Sequence, residues 1–137
     1  MLSGEPISLP AAASEEAKAY LRIEGTTEDE LVSRLLRGSA ELCEAFTGQA
    51  LLARSFTGIL PLGGAWTRLG ATPVRAIVEV QTLADDGTAS PLDPSAYSID
   101  IDAGGDGWVR ASAAGGQVRV SFAAGIAAEW SGLPEAL

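Results

Sequence analysis

The sequence predicts an α+β fold, with an N-terminal helical pair followed by a mainly antiparallel β region. Three observations predict it. Apolar residues recur at helical spacing through 14–48, the texture switches to strict alternation after Gly48, and Asp85-Asp86-Gly87 separates two strand-like runs as a hairpin signal. A chain of 137 residues fits one domain large enough to bury about two-thirds of its unfolded surface. We read 1–137 as that single domain, with an extended arm over 1–13, helices within 14–48, a β-rich part over 49–126 and a C-terminal segment from 127.

The arm is bracketed by Pro6 and Pro10 around Ile7 and Leu9. Ser14 is placed to cap a short helix over about 15–22, with Glu15 and Glu16 against its N-terminal dipole. Thr27 and Glu30 have the spacing of a capping box, which opens a longer helix over about 28–47. On that helix Leu31, Leu35, Leu42 and Phe46 share one face with Val32, Leu36 and Cys43 beside them, and the whole stripe reads as core. Gly48 suits the residue that ends it. Gly38 sits inside it at a cost of up to about 1 kcal/mol, which a close contact would explain.

Strands are predicted over about 51–60, 66–69, 76–83, 88–92, 96–101, 107–110 and 117–123. The clearest alternations are Val118, Val120 and Phe122 between polar neighbours, and Tyr97, Ile99 and Ile101 between Ser98, Asp100 and Asp102. Pro61, Pro73, Pro91 and Pro94 mark turns or edges.

Composition excludes several functions. A net charge of −9 argues against a protein that grips DNA or an anionic membrane, because such surfaces neutralise phosphate with Lys and Arg. The chain has no His, which removes Ser-His-Asp and Cys-His catalysis and imidazole metal sites together. Cys43 is the single Cys, so no internal disulfide or thiolate cluster forms, and its place on the apolar stripe reads as core. The N-terminus lacks the basic and apolar regions of a signal peptide. The longest charge-free run, 55–67, is too short and too rich in Gly and Pro to span a bilayer.

Few constellations invite chemistry. Asp100, Asp102 and Asp106 lie in a Gly-rich run, but two oxygen ligands of an EF-hand are missing, because Gly104 and Ala111 occupy their positions. A strand end and turn account for the same residues, with a weak cation site as the alternative. No phosphate-binding glycine motif is present. No catalytic residue, cofactor or metal is expected. Trp66 and Trp108 read as core or sheet-face residues, whereas Trp130 suits either a cover for the core or an anchor for a partner. Arg34 and Arg37 have helical spacing to Glu30 and Glu41 and read as a solvated face that meets a neighbour in an oligomer.

Taken in order, Ile7-Ser8-Leu9, Glu16-Ala17-Lys18, Leu21-Arg22-Ile23, Glu28-Asp29-Glu30-Leu31, Ala40 and Thr47-Gly48 resemble the head–tail connector (adaptor) proteins of tailed phages and gene transfer agents. The later run agrees in kind and order: Leu69, Pro73-Val74, Ile77, Val80, Asp86-Gly87, Tyr97-Ser98-Ile99-Asp100, then Val118 to Gly125. The resemblance implies a structural, non-enzymatic ring of twelve subunits between the portal protein and a downstream tail or stopper protein. DNA would pass through it without specific binding, in the neck of a particle assembled in the bacterial cytoplasm, with no membrane partner. It also implies that the pattern continues past a Pro such as Pro134 into a helix that engages the portal. Here the sequence stops at Leu137. The interface expected from these readings comprises Arg34, Arg37, Asp85, Asp86, Gly87, Asp102, Asp106 and Trp130. A monomeric ligand- or peptide-binding module is the other reading the residues leave open.

Overall fold

The structure, a computed structural model, describes residues 2–61, 63–111 and 116–134. Residues 135–137 of the expected C-terminal segment lie outside the described residues. The α+β prediction holds, with two helices followed by antiparallel strands.

The arm is more ordered than its sequence indicates. Leu2–Gly4 forms a strand, β1, and Ile7 is buried. Helix α1 spans Ala11–Leu21, starting four residues before the expected position, and Ser14 does not cap it. Pro10, extended at φ −72 and ψ 163, occupies the cap position, and the following run of three Ala favours helix from its first residue. Arg22 closes α1 in the left-handed region at φ 58.

Helix α2 spans Asp29–Thr47. The Thr27–Glu30 capping box does not form, because Glu28 holds the cap position and makes no side-chain cap bond. A turn in which Asp29 N–H donates to Thr26 O carries Thr27 clear of the helix start. That start is fixed from α1 instead: the buried Lys18 ammonium donates to Asp29 Oδ1 at 2.6 Å. Its Asp29 bond raises the Lys18 pKa against the opposing effect of burial. Gly48 ends α2 at φ 72, as expected.

The strands are β2 (Arg54–Pro61), β3 (Thr67–Arg68), β4 (Val74–Leu83), β5 (Ala89–Pro91), β6 (Tyr97–Ile101), β7 (Gly107–Ala111) and β8 (Gln117–Ala124). They form a five-stranded sheet in the order β1-β2-β8-β4-β5 and a three-stranded sheet in the order β3-β7-β6, with every pairing antiparallel. Val118, Val120, Phe122 and Ala124 of β8 are buried in alternation and share one core with Val109 and Ala111 of β7. Phe122 stacks on Phe56 with ring centroids 5.7 Å apart.

Strand β4 departs from simple alternation. Val74, Ile77 and Val80 all contribute to the core although they are three residues apart. Register shifts against β8 between Val74 and Ala76 and between Ile77 and Glu79 re-phase the strand twice, and Val78 is left outside. Residues 51–53, expected in a strand, instead pass under α2. Leu51 and Leu52 join Ile7 and Ala40 in a second, smaller core, with Cys43 half-buried against it. Gly125, where β8 exits, lies so close to this passage that a Cβ would collide with the backbone of Leu52 and Ala53.

Candidate functional site

The largest difference from the sequence reading lies on α2. Val32, Leu36, Ala40 and Cys43 turn toward the body, as buried or half-buried residues. The other half of the expected core stripe turns outward: Leu31 is 52% exposed, Leu35 63%, Leu42 70% and Phe46 91%. The spacing of these residues is helical, as read, but among the described residues only one side of the helix is covered. The large residues lie on the uncovered side. An exposed apolar face of this size marks an interaction surface. The same face contains Gly38, whose position a Cβ could occupy without meeting any atom within 4 Å. Among the described residues no contact therefore explains this glycine.

Two grooves adjoin the helices. One of about 350 Å³ lies between α1 and α2 and is lined by Leu21, Ile23, Leu31 and Leu35 among others. The other, about 600 Å³, lies between α2 and the C-terminal segment, with Cys43, Leu51, Trp130 and Pro134 in its walls.

Two polar clusters tie the helices to the rest of the fold, and a third orders the β6–β7 turn. The Glu44 carboxylate accepts from Arg54 Nη1 and Nη2 at 2.8 and 2.7 Å and from Leu51 N–H at 2.7 Å. Both side chains of this fork are largely buried. Burial alone would raise the Glu44 pKa, but Arg54 and the Leu51 N–H outweigh it and hold the carboxyl below its ordinary 4.5. Arg54 Nε also donates to Glu5 O, and its guanidinium lies 5.0 Å from the Phe56 ring centroid. One residue therefore ties α2, the N-terminal arm and the main core together. At the C-terminal segment, Trp130 Nε1 donates to Glu16 Oε2 at 2.8 Å, across 114 residues of sequence. In the β6–β7 turn, Asp102 accepts from Trp108 Nε1 at 2.9 Å and from the N–H groups of Gly104 and Asp106. The Trp108 bond, followed by the Asp106 N–H, lowers the Asp102 pKa.

The expected interface residues occupy four separate features. Arg34 and Arg37 lie exposed on α2 beside the apolar face. Arg34 pairs with Glu30 at 2.9 Å as read, whereas Arg37 has no ion pair among the described residues. Asp85, Asp86 and Gly87 form the exposed β4–β5 hairpin tip, where Gly87 takes φ 88 and Asp86 accepts from Thr88 N–H. Asp102 and Asp106 share the β6–β7 turn, and Asp106 lies 3.6 Å from Arg68. Trp130 is half-buried against α1. Trp66 is exposed beneath the Arg110 guanidinium, 5.0 Å from its ring centroid. Among the described residues no group of three or more His, Cys, Asp or Glu is placed to hold a metal, and no helix is long and apolar enough to cross a membrane.

The sequence reading missed Leu31, Leu35, Leu42 and Phe46 as surface residues, along with the Glu44–Arg54 fork. The first had one signal, a glycine in their midst; the fork, ten residues apart across a helix end, had none.

No protein-family model and no curated protein sequence matches the chain. Solved structures do. It is similar over 98% of its length to a chain in the neck of an empty gene transfer agent (GTA) particle computed with C6 symmetry, at 26% identity and a TM-score of 0.77. It is similar over the same share to a chain in the virion of a native GTA particle, at 26% identity and a TM-score of 0.71. These matches take in 75% and 76% of those chains. A third likeness, to a chain in the neck of a native GTA particle computed with C12 symmetry, has 24% identity and a TM-score of 0.69 and shows the fold.

Proposed function

We propose that this protein is a structural subunit of a head–tail connector, forming a ring between the portal and the tail of a phage-like particle. The observation that carries the reading is the likeness of nearly the whole chain to a chain of a GTA neck. The exposed apolar face of α2 supports it, since a ring subunit must present surface to its neighbours. Ring contacts are heterologous and close by rotation, so each copy offers two different surfaces. In this reading α2, with Arg34 and Arg37, lies at one subunit boundary. The hairpin tips at Asp85–Gly87 and Asp102–Asp106, and the C-terminal segment at Trp130, reach the neighbouring copy or the portal and tail partners. Six-fold symmetry allows six or twelve copies, and the family resemblance implies twelve. Acidic tips beside a channel repel the phosphate backbone, so DNA slides through without being held. The role calls for shape and self-association and for no bond-making centre.

The test is imaging of the assembled particle together with the portal. Density for this chain as a closed ring at the head–tail junction is the expected result, and its absence from the neck overturns the reading. Replacing Arg34 and Arg37 by Glu should weaken ring assembly by light scattering; unchanged assembly removes α2 from the subunit boundary.

A further inference from the structure

We infer that, before any ring forms, two copies of this chain pair through α2 in antiparallel fashion about a two-fold axis. Along the exposed face, Leu31, Leu35, Gly38, Leu42 and Ala45 follow one another at steps of four, three, four and three residues. That is the a/d spacing of a coiled-coil seam, the geometry that admits a second helix. The order of sizes along the seam is self-complementary. Laid antiparallel, Leu42 of each copy meets Leu31 of the other, and Leu35 enters the space that Gly38 leaves open. Large residue faces small at the crossing point, which lets the backbones approach closely and gives Gly38 the contact it lacks among the described residues.

Two further features fit the same alignment. Arg34 and Glu41 take the flanking positions on one side of the seam, so each Arg34 faces the partner copy's Glu41 in both halves of the pair. Phe46, at the far end, falls opposite the start of the other α2. There the groove of about 350 Å³ between α1 and α2, lined by Leu21, Ile23, Leu31 and Leu35, is open to receive its ring. From Leu31 to Phe46 the seam runs about 22 Å. Its four large side chains present on the order of 500 Å² of apolar surface, at the upper end for a lone monomer. Covering it by self-pairing keeps the unassembled chain from aggregating. A two-fold contact closes on itself and cannot propagate around a ring. The pair therefore belongs to the free pool, and the inference does not rest on the ring reading.

Sedimentation of the purified full chain from about 1 to 100 µM tests it. A reversible dimer is expected. Phe46→Asp and Gly38→Leu should each weaken dimerisation at least a hundredfold while circular dichroism stays unchanged, because neither site touches the chain's own core. Arg34→Glu and Glu41→Arg should each weaken it about tenfold, and the double exchange should restore it, which only the antiparallel alignment requires. A monomer throughout the range, a ring without a dimer, or a dimer indifferent to these changes overturns the inference. Of these, a ring without a dimer leaves the connector reading standing.

Discussion

Strand β8 and helix α2 treat their large apolar residues in opposite ways. In β8 the bulky side chains point in: Phe122, Val118 and Val120 are almost fully buried, and polar residues alternate outside. In β6, read from sequence as an equally clean alternation, Ile99 and Ile101 stay exposed because the three-stranded sheet leaves that strand at its edge. On α2 the bulky side chains point out, and the body is met by Val32, Ala40 and half-buried Leu36 and Cys43. Hydrophobic burial thus supports the fold mainly through the two sheets. The two helices are tied to each other at Lys18–Asp29, and the pair is held to the rest of the fold by a thin apolar layer and by polar ties at Glu44–Arg54 and Glu16–Trp130. Apolar surface that the fold does not use is free for association.

The contrast is broken most directly by equal truncations on the two sides. Phe122→Ala should cost about 3–5 kcal/mol in denaturant unfolding of the chain, through lost transfer energy and a cavity beside Phe56. Phe46→Ala should stay within about 0.5 kcal/mol in dilute solution. Equal losses would mean that α2 buries Phe46 after all.

The polar ties come next. Glu44→Gln leaves the largely buried Arg54 without its counter-charge and should cost about 2–3 kcal/mol at pH 7. Because folding lowers the Glu44 pKa, its contribution is present above pH 4.5 and is lost as pH falls through the folded value. The melting temperature of the wild type should therefore decline on acidification more steeply than that of Glu44→Gln. Parallel pH profiles would show that the fork adds no linked stability.

A smaller effect is expected in the β6–β7 turn. Asp102→Ala removes the acceptor shared by Trp108 Nε1 and two backbone N–H groups and should lower the melting temperature by less than Glu44→Gln does. A change in Trp fluorescence with this loss places it at the turn; an unchanged melt would make Asp102 dispensable. The smallest effect has the opposite sign. Gly38→Ala should raise the stability of the monomeric chain by about 0.5–1 kcal/mol, since the helix gains propensity and the new Cβ meets nothing. A destabilised monomer would reveal an internal contact at that face.

Legibility followed the same division. Strand β8 and the β4–β5 hairpin could be read because alternation and turn chemistry are local properties. Strand β4 could be read as a strand but not in its facing, because the two register shifts that turn Val74, Ile77 and Val80 inward arise from pairing with β8. The end of α2 at Gly48 was legible. Its start, expected near 28, was legible to within one residue, but the device that fixes it was not, since a turn at Thr26–Asp29 and an ammonium from α1 replace the local cap.

By itself the sequence determined the fold class, the order of elements, the absence of histidine chemistry and the pattern that resembles connector proteins. It also determined that Leu31, Leu35, Leu42 and Phe46, with Val32, Leu36 and Cys43 beside them, form an apolar stripe on part of the circumference of α2. Only the tertiary structure decided which part of that circumference is core, because periodicity records the faces of a helix and not the amount of surface available to cover them. Leu51 and Leu52, the arm at Ile7 and Leu133 of the C-terminal segment supply one layer, which fills against Ala40 and Cys43, and Leu31, Leu35, Leu42 and Phe46 are left in solvent.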